Sequence, residues 1–165
     1  MPTEQVRRVD LDAHNVRVGG RLAQAQMVQI GGRTFSNVYY PPDETDVTLE
    51  NLVYLAECIS DEWGIFGDFN AHHGAWGSDA SPDQKATRRG NAIFDQMSPG
   101  VPLNSPAGEP TAATGNVLGL ALVSPALHQL AELTILDFAF SGAHSPIIIR
   151  LGLASRTNAR SRPRN

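Results

Sequence analysis

The glycine pair Gly31–Gly32 constrains the fold of this chain more than any other short feature. It interrupts the segment QMVQIGGRTFSNVYY (residues 26–40), in which apolar and polar residues alternate on both sides of the pair. Two alternating runs joined by two glycines predict an antiparallel β-hairpin, because glycine readily adopts the positive φ angles of a tight turn. Pro41 and Pro42 should then end the second strand, since proline cannot donate to a β-ladder.

A helix, a short strand and a mixed layered fold are expected next. Apolar residues recur at helical spacing from Leu49 to Trp63, and we expect Gly64 to end this helix. The segment IFGDFN (65–70) predicts a short buried strand that delivers Asp68 to its carboxyl end. A second helix is expected at 87–97 and further strands at 117–123, 132–140 and 146–153. Strands alternating with helices and a hairpin predict an α/β (α+β) layered architecture.

Chain length and charge distribution predict one domain and a tail. The 165 residues are one domain's worth of chain, and four of the thirteen basic residues fall within the last ten positions. We therefore divide the chain into a globular domain at 1–155 and a disordered Arg-rich tail at 156–165, with a phosphate-binding arm as the alternative for the tail. Residues 1–155 hold nine basic and seventeen acidic side chains, a net charge of −8. So acidic a domain repels a nucleic-acid backbone unless metal ions or the tail intervene.

The cysteine count and the hydropathy pattern predict an intracellular protein without a membrane span. Cys58 is the sole cysteine, which excludes an intramolecular disulfide and a cysteine-based zinc site. We expect it to pack as a small side chain within the first helix. No apolar run reaches the roughly 18 residues that a membrane-spanning helix needs.

Four residues are candidates for chemistry. Residues two apart in a strand point to the same face, so the Asp68 carboxylate and the Asn70 carboxamide could together hold a hydrated Mg²⁺ or position an attacking water. A plain strand-end turn is the alternative. His144, before the β-branched run at 146–153, could act as a general acid or base or simply as a polar cap. Tyr39 could aim its phenol at a phosphate or lie in the core.

Three other conspicuous groups carry weaker signals. His72 and His73 are adjacent, so their side chains usually diverge, and we interpret them as loop hydrogen-bonding or packing groups and not as metal ligands. Trp76 is expected to pin the same loop to the core. Arg88 and Arg89 could contact phosphates, but a solvated first helical turn is the more ordinary interpretation of such a pair.

In their order along the chain, six segments resemble the endonuclease/exonuclease/phosphatase superfamily, in particular the apurinic-like endonuclease domain of non-LTR retrotransposons. They are NVYYPP, GDFNAHHGAWGS, TRRGNAIFDQM, LNSPAGEPT, VLGLALVSPAL and GAHSPI. The resemblance spans roughly residues 25–152 and corresponds to the C-terminal two thirds of a full family domain. It implies a partial four-layer αββα sandwich and Mg²⁺-dependent hydrolysis of a DNA phosphodiester, in the nucleus if the chain follows the retrotransposon family.

The resemblance also implies roles for individual residues. Asp68 matches the aspartate that activates or orients the attacking water, and Asn70 matches the asparagine that binds the phosphate. His144 matches the histidine that contacts the scissile phosphate, and Tyr39 matches a tyrosine near that phosphate. Asp68 and Asn70 are the residues that would hold the metal.

Departures from the family pattern predict a weakened site. The family's first strands carry an asparagine and a metal-binding glutamate. Residues 1–25 are too short to supply these strands and have no glutamate followed by a packed strand, so we expect an N-terminally truncated relative. Gly119 stands where the family has an aspartate, and Gly142 and Ala143 replace the Ser-Asp that precedes the histidine. We expect weak Mg²⁺ binding, because a site with one carboxylate offers few charges to offset the cost of dehydrating the ion. We also expect little or no activity, because the loss of one positioned acid-base group costs about 10²–10⁴ in rate.

The same departures leave a non-enzymatic alternative. The chain could be a structural remnant or a module that binds nucleic acid or protein without turnover. Strands such as 146–153 would then leave an apolar sheet face uncovered, and self-association through that face is expected.

Overall fold

The computed structural model of the chain describes residues 5–11, 13–14, 16–18, 21–22, 24–42, 50–78, 84–98, 100–104, 108–136 and 143–152. Its strands are β1 (Val6–Val9), β2 (Arg17–Val18), β3 (Arg21–Leu22), β4 (Ala25–Ile30), β5 (Arg33–Tyr39), β6 (Trp63–Asp68), β7 (Val101–Pro102), β8 (Gly119–Val123), β9 (Ala131–Ile135) and β10 (Ile147–Leu151). Its helices are α1 (Glu50–Ile59), α2 (Gln84–Gln96) and α3 (Pro125–His128). The expected tail at 156–165 and Gly142 lie outside the described residues.

A six-stranded sheet in the order β1-β4-β5-β6-β8-β7 forms the centre of the fold. The predicted hairpin is confirmed: β4 and β5 pair antiparallel, with Ile30 opposite Arg33 and positive φ angles of 58° at Gly31 and 82° at Gly32. Strand β5 ends at Tyr39, and only Tyr40 separates it from Pro41 and Pro42. The chain crosses over through α1 and returns as β6, which pairs parallel with β5 and antiparallel with β8.

One face of the six-stranded sheet packs against the helices. Along β5, the side chains of Thr34, Ser36 and Val38 are buried, whereas those of Asn37 and Tyr39 are exposed, as the two-residue period of a strand requires. Strand and helix residues of this face join one core cluster, which includes Met27, Val38, Leu52, Val53, Ala56, Ile65, Ile93, Leu120 and Leu122.

The opposite face meets a second sheet, the antiparallel pair β9–β10. The contact is close at Gly119, where an added Cβ would come within 2.9 Å of Ile147 Cδ1. Helices, a large sheet and a small second sheet are successive layers of an αββα sandwich, so the expected partial sandwich and α/β class are confirmed.

The first helix is shorter than expected. Helix α1 ends at Ile59, whereas Trp63 and Gly64 belong to β6, so the prediction that Gly64 ends the helix is wrong. The physical reason lies in Ser60, whose hydroxyl donates to the Gly32 carbonyl and accepts from the Glu62 amide and thereby builds a turn instead of another helical turn. Trp63 is buried as the first residue of β6, and this burial explains why an apolar residue stands at position 63.

Cys58 corrects a second expectation. Its side chain is exposed and does not pack in the core. The core-facing stripe of α1 consists of Leu52, Val53 and Ala56, and Cys58 lies outside that stripe.

The first 25 residues contribute to the core. Strand β1 pairs with β4 at one edge of the large sheet, and Leu11 and Val16 are buried. None of the helices in the described part of the chain is long and apolar enough to cross a membrane.

Candidate active site

Asp68 and Asn70 meet at a tight turn after β6. Asp68 is the last residue of the strand, and Asn70 lies beyond it with a left-handed φ of 45°. The Asn70 backbone amide donates to Asp68 Oδ1 at 3.1 Å, and Asn70 Nδ2 donates to Asp68 Oδ2 at 3.1 Å and to the Tyr40 carbonyl at 2.9 Å. The two side chains are in contact, but they do not share a strand face as expected, because β6 ends at Asp68. The strand-end turn itself brings them into contact.

The buried side chain of Arg89 binds the backbone of this turn. Its guanidinium donates to the carbonyl oxygens of Asn70 and Pro42, and the side chain is only 4% exposed. The expectation of a solvated helical turn is therefore wrong for Arg89, whereas Arg88 is exposed as expected. Arg89 is a positioning residue, because it binds the backbone of the turn that carries Asn70.

His144 approaches Asp68 from the second-sheet side. Its Nε2 lies 3.7 Å from Asp68 Oδ2, and its side chain is 48% exposed, so the imidazole can reach both the carboxylate and a ligand from solvent. The structure therefore brings together three of the four predicted site residues, Asp68, Asn70 and His144.

Thr111 positions both His144 and the start of β8. Its carbonyl accepts from the Ser145 amide at 2.9 Å, next to an isolated β-bridge between Ala112 and His144. Its side-chain Oγ1 accepts from the amides of Leu118 and Gly119, each at 2.8 Å. One buried threonine thus fixes the two segments that face Asp68.

Tyr39, the fourth predicted residue, lies beside the site. It is directly opposite Asp68 in the β5–β6 register, and its side chain is half exposed. The alternative of a core position is wrong for Tyr39, because the buried tyrosine at this strand end is Tyr40.

The residue directly opposite Asp68 on β8 is Gly119, which has no side chain and so supplies no carboxylate at that position. The two residues are direct partners in the β6–β8 register. In the described ranges, no group of three or more histidine, cysteine or acidic side chains could hold a metal ion. Asp68 nevertheless supplies the oxygen donors that Mg²⁺ prefers, and Mg²⁺ is often held by one or two carboxylates together with substrate phosphates. The residues present therefore fit a hydrated Mg²⁺ bound through a single carboxylate.

Burial sets the electrostatics of Asp68. Its pKa is raised above the ordinary value of 3.8, because loss of water around the carboxylate outweighs several opposing influences. Hydrogen bonds from the backbone and side chain of Asn70 and the charges of His144 and Arg89 each act to lower the pKa. The site thus holds a carboxylate that burial makes more costly to ionise.

This raised pKa predicts the pH dependence of stability. The folded state binds the Asp68 proton more tightly than the unfolded state, so the free energy of unfolding should fall as pH rises from the ordinary to the raised pKa. The Asp68→Asn variant cannot titrate, and its stability relative to wild type should increase across that pH window. Urea unfolding of both proteins from acid to neutral pH measures this, with Asp95→Asn on an exposed position of α2 as the matched change of charge. A difference independent of pH would contradict the assignment.

The loop after the site is pinned as expected. The buried His72 places Nδ1 2.7 Å from Ser78 Oγ, and His73 Nδ1 accepts from the Ala75 amide to cap a short 3₁₀ turn. Trp76 is fully buried, and its indole donates to the Ala71 carbonyl at 3.3 Å. The interpretation of both histidines as loop groups is therefore confirmed.

Three positioning residues were missed by the sequence interpretation: Arg89, Thr111 and Asn104. Asn104 is buried; its Nδ2 donates to the Gly119 carbonyl and its Oδ1 accepts from the Ala121 amide, which aligns β8. The available signal for two of them was the segment LNSPAGEPT, which contains Asn104 and Thr111.

The layered fold and the match to a family model identify the endonuclease/exonuclease/phosphatase class of proteins. The endonuclease-reverse transcriptase family matches residues 33–148, which is most of the chain. The chain belongs to this family.

Solved structures agree with this fold. The endonuclease domain of TRAS1, a telomere-specific non-LTR retrotransposon, superposes with a TM-score of 0.69 at 16% identity over 91% of this chain and 68% of that one. The Neisseria 3′ phosphatase NExo, bound to a product DNA hairpin, gives 0.63 at 16% identity over 90% and 71%. The Haemophilus ducreyi cytolethal distending toxin gives 0.52 at 16% identity over 90% and 58%. At such identities the likeness shows the fold alone. No curated protein sequence matches the chain.

Proposed function

We propose that the chain is a Mg²⁺-dependent DNA phosphodiesterase domain of the retrotransposon type, with a reduced site and very slow turnover. The observation that carries the proposal is the contact of Asp68 with both Asn70 and His144, opposite a glycine at position 119. These groups can bind a phosphate together, and within the described part of the chain Asp68 is the carboxylate that the proposal uses, with a glycine at the position opposite. Following the same family, we place its action on DNA in the nucleus.

Each residue has a definite part in this function. Asp68 would hold the cation and orient the attacking water, and Asn70 keeps the carboxylate in place through two hydrogen bonds. His144 donates to a phosphate oxygen and stabilises its developing charge, and Tyr39 lies beside that phosphate. Mg²⁺, when bound, neutralises the phosphate and polarises its P–O bonds. Arg89 keeps the turn rigid by binding the Asn70 carbonyl.

The first test is Mg²⁺ binding. We expect weak binding that tightens when a phosphate ester is present, because substrate oxygens then complete the coordination. Asp68→Asn should weaken Mg²⁺ binding at least tenfold, about 1.4 kcal/mol, as measured by NMR titration of backbone amides. The exposed Asp95→Asn variant is the control and should bind like wild type. Equal affinities of wild type and Asp68→Asn would place the cation elsewhere and contradict the proposal.

The second test is cleavage. Supercoiled plasmid should be nicked only slowly above the blank, in a reaction that needs Mg²⁺ and that Asp68→Ala abolishes. Robust nicking that disappears in Asp68→Ala would overturn the reduced-site part of the proposal. Slow nicking that persists in the variant would show that the activity comes from elsewhere.

A binding module without turnover is the second candidate. It is favoured by apolar side chains left exposed on strands and strand ends, namely Val6, Leu136 and Ile148. Such a module should associate through these exposed apolar side chains and show no Mg²⁺ effect. Sedimentation with and without Mg²⁺ separates the two candidates, because only the enzyme responds to the ion.

A further inference from the structure

The chain segments that leave strands β5 and β6 stay joined beyond the last pair of the two strands, Tyr39 and Asp68. The Tyr40 amide donates to the Asp68 carbonyl at 2.8 Å, and Asn70 Nδ2 donates to the Tyr40 carbonyl at 2.9 Å. Tyr40 also stacks on Phe69 with 5.9 Å between the ring centroids, and both side chains are fully buried. The two segments are therefore held against each other outside the sheet.

Arg89 adds a second connection between the same two segments. Its Nη1 donates to the Asn70 carbonyl, and its Nη2 donates to the Pro42 carbonyl at 2.8 Å. The donors of a guanidinium form a rigid planar fork, whereas lysine presents a single nitrogen at the end of a flexible chain. A bridge between two fixed carbonyl groups therefore requires the shape of arginine as well as its charge.

Helix α2 brings Arg89 within reach of both carbonyls because the next residue is glycine. An added Cβ on Gly90 would come within 1.9 Å of the His72 carbonyl oxygen. The His72 amide in turn donates to the Ala86 carbonyl at 3.1 Å, so the helix contacts the loop after Asn70 backbone to backbone. Any side chain at position 90 would push α2 away from this loop and withdraw Arg89 from its two partners.

We propose that the Arg89–Gly90 pair of α2 sets the separation between Tyr39 and the Asp68–Asn70 turn, the two parts of the site that would face one phosphate. The inference rests on the proposed function and extends it, because it makes the site depend on a helix that contributes no reacting group. Arg89 is only 4% exposed and acts through the backbone of both segments, so it is a positioning residue and not a catalytic one.

The test removes the guanidinium and then returns it in solution. We expect Arg89→Ala to bind Mg²⁺ about tenfold more weakly than wild type in an NMR titration of backbone amides. Methylguanidinium at millimolar concentration should restore most of that affinity, because it again offers paired N–H donors to the Asn70 and Pro42 carbonyls. Methylammonium has the same charge but no fork, and it should restore nothing. Neither cation should change the affinity of wild type.

Two further variants keep the test independent of how well Arg89→Ala folds. Arg89→Lys retains the charge, yet it should lose nearly as much Mg²⁺ affinity, and the side-chain amide signals of Asn70 should shift. Gly90→Ala leaves the arginine in place and should reproduce both effects, because the helix then lies farther from the loop. The matched controls are Arg88→Ala and Asn91→Ala, at exposed positions of the same helix, and both should bind like wild type.

The outcomes separate this inference from the proposed function. If Arg89→Lys or Gly90→Ala binds Mg²⁺ like wild type while Asp68→Asn does not, the pair does not set the site and only this inference falls. It also falls if methylammonium restores Arg89→Ala as well as methylguanidinium does. If wild type and Asp68→Asn bind Mg²⁺ equally, the proposed function falls and this inference falls with it. Recovery by methylguanidinium alone, together with losses in both other variants, would support it.

Discussion

Gly67→Ala should cost about 3 kcal/mol or more of folding free energy, measured by urea unfolding. Gly67 has a φ of +147°, and a Cβ there would come within 1.8 Å of the Val38 carbonyl oxygen. That oxygen belongs to the backbone of the neighbouring strand β5, so neither a rotamer change nor a small side-chain shift can relieve the clash. Strands β5 and β6 would have to separate next to Asp68, and Mg²⁺ binding should weaken together with stability.

Gly115→Ala is the control for this prediction. Gly115 also has a left-handed φ, +83°, but nothing lies within 4 Å of an added Cβ. Its cost should be limited to backbone conformation, about 1 kcal/mol. Equal losses in the two variants would show that conformation, and not the close approach of β5, makes glycine necessary at position 67.

Gly119→Asp should raise Mg²⁺-dependent plasmid nicking by about 10²-fold, the lower end of what one positioned acid-base group contributes. Position 119 is the direct cross-strand partner of Asp68, so the new carboxylate would stand beside the existing one. Ile147 Cδ1 would have to move aside, which the end of a flexible side chain can do. Without Mg²⁺, repulsion between two neighbouring carboxylates should lower the melting temperature, and added Mg²⁺ should restore it.

Gly119→Asn separates charge from bulk. It has the size of the aspartate but no charge, and it should displace Ile147 without raising the nicking rate. The double variant Asp68→Asn/Gly119→Asp should lose most of the gain, because one carboxylate is again alone. Similar nicking by the aspartate and asparagine variants at position 119 would contradict the explanation.

Local features of the fold could be predicted from the sequence. The Gly31–Gly32 hairpin and the strand end at Asp68 depend on neighbours in the chain, and both are confirmed. The end of α1 could not be predicted, because Ser60 builds its turn by donating to the carbonyl of Gly32, a residue distant in sequence. Apolar periodicity alone predicts that the helix continues to Trp63, because a buried residue at the start of a strand fits the same apolar pattern.

The candidate catalytic residues could be predicted from the sequence, but the residues that position them could not. Asp68, Asn70 and His144 carry chemistry that a sequence displays, and the structure places them together. Arg89 looks like a solvated helical residue until the fold brings its guanidinium to the carbonyls of Asn70 and Pro42. These contacts join segments that are far apart in the sequence, and no sequence pattern indicates that the segments meet.

The supports of the site consist of side chains that bind backbone. Thr111, Asn104 and Arg89 hold carbonyl and amide groups, and none of them needs a particular side chain at position 119 or 143. A substitution at position 119 or 143 can therefore leave these supporting contacts intact. A fold supported in this way can persist after catalytic activity is lost, and it can then still bind another ligand.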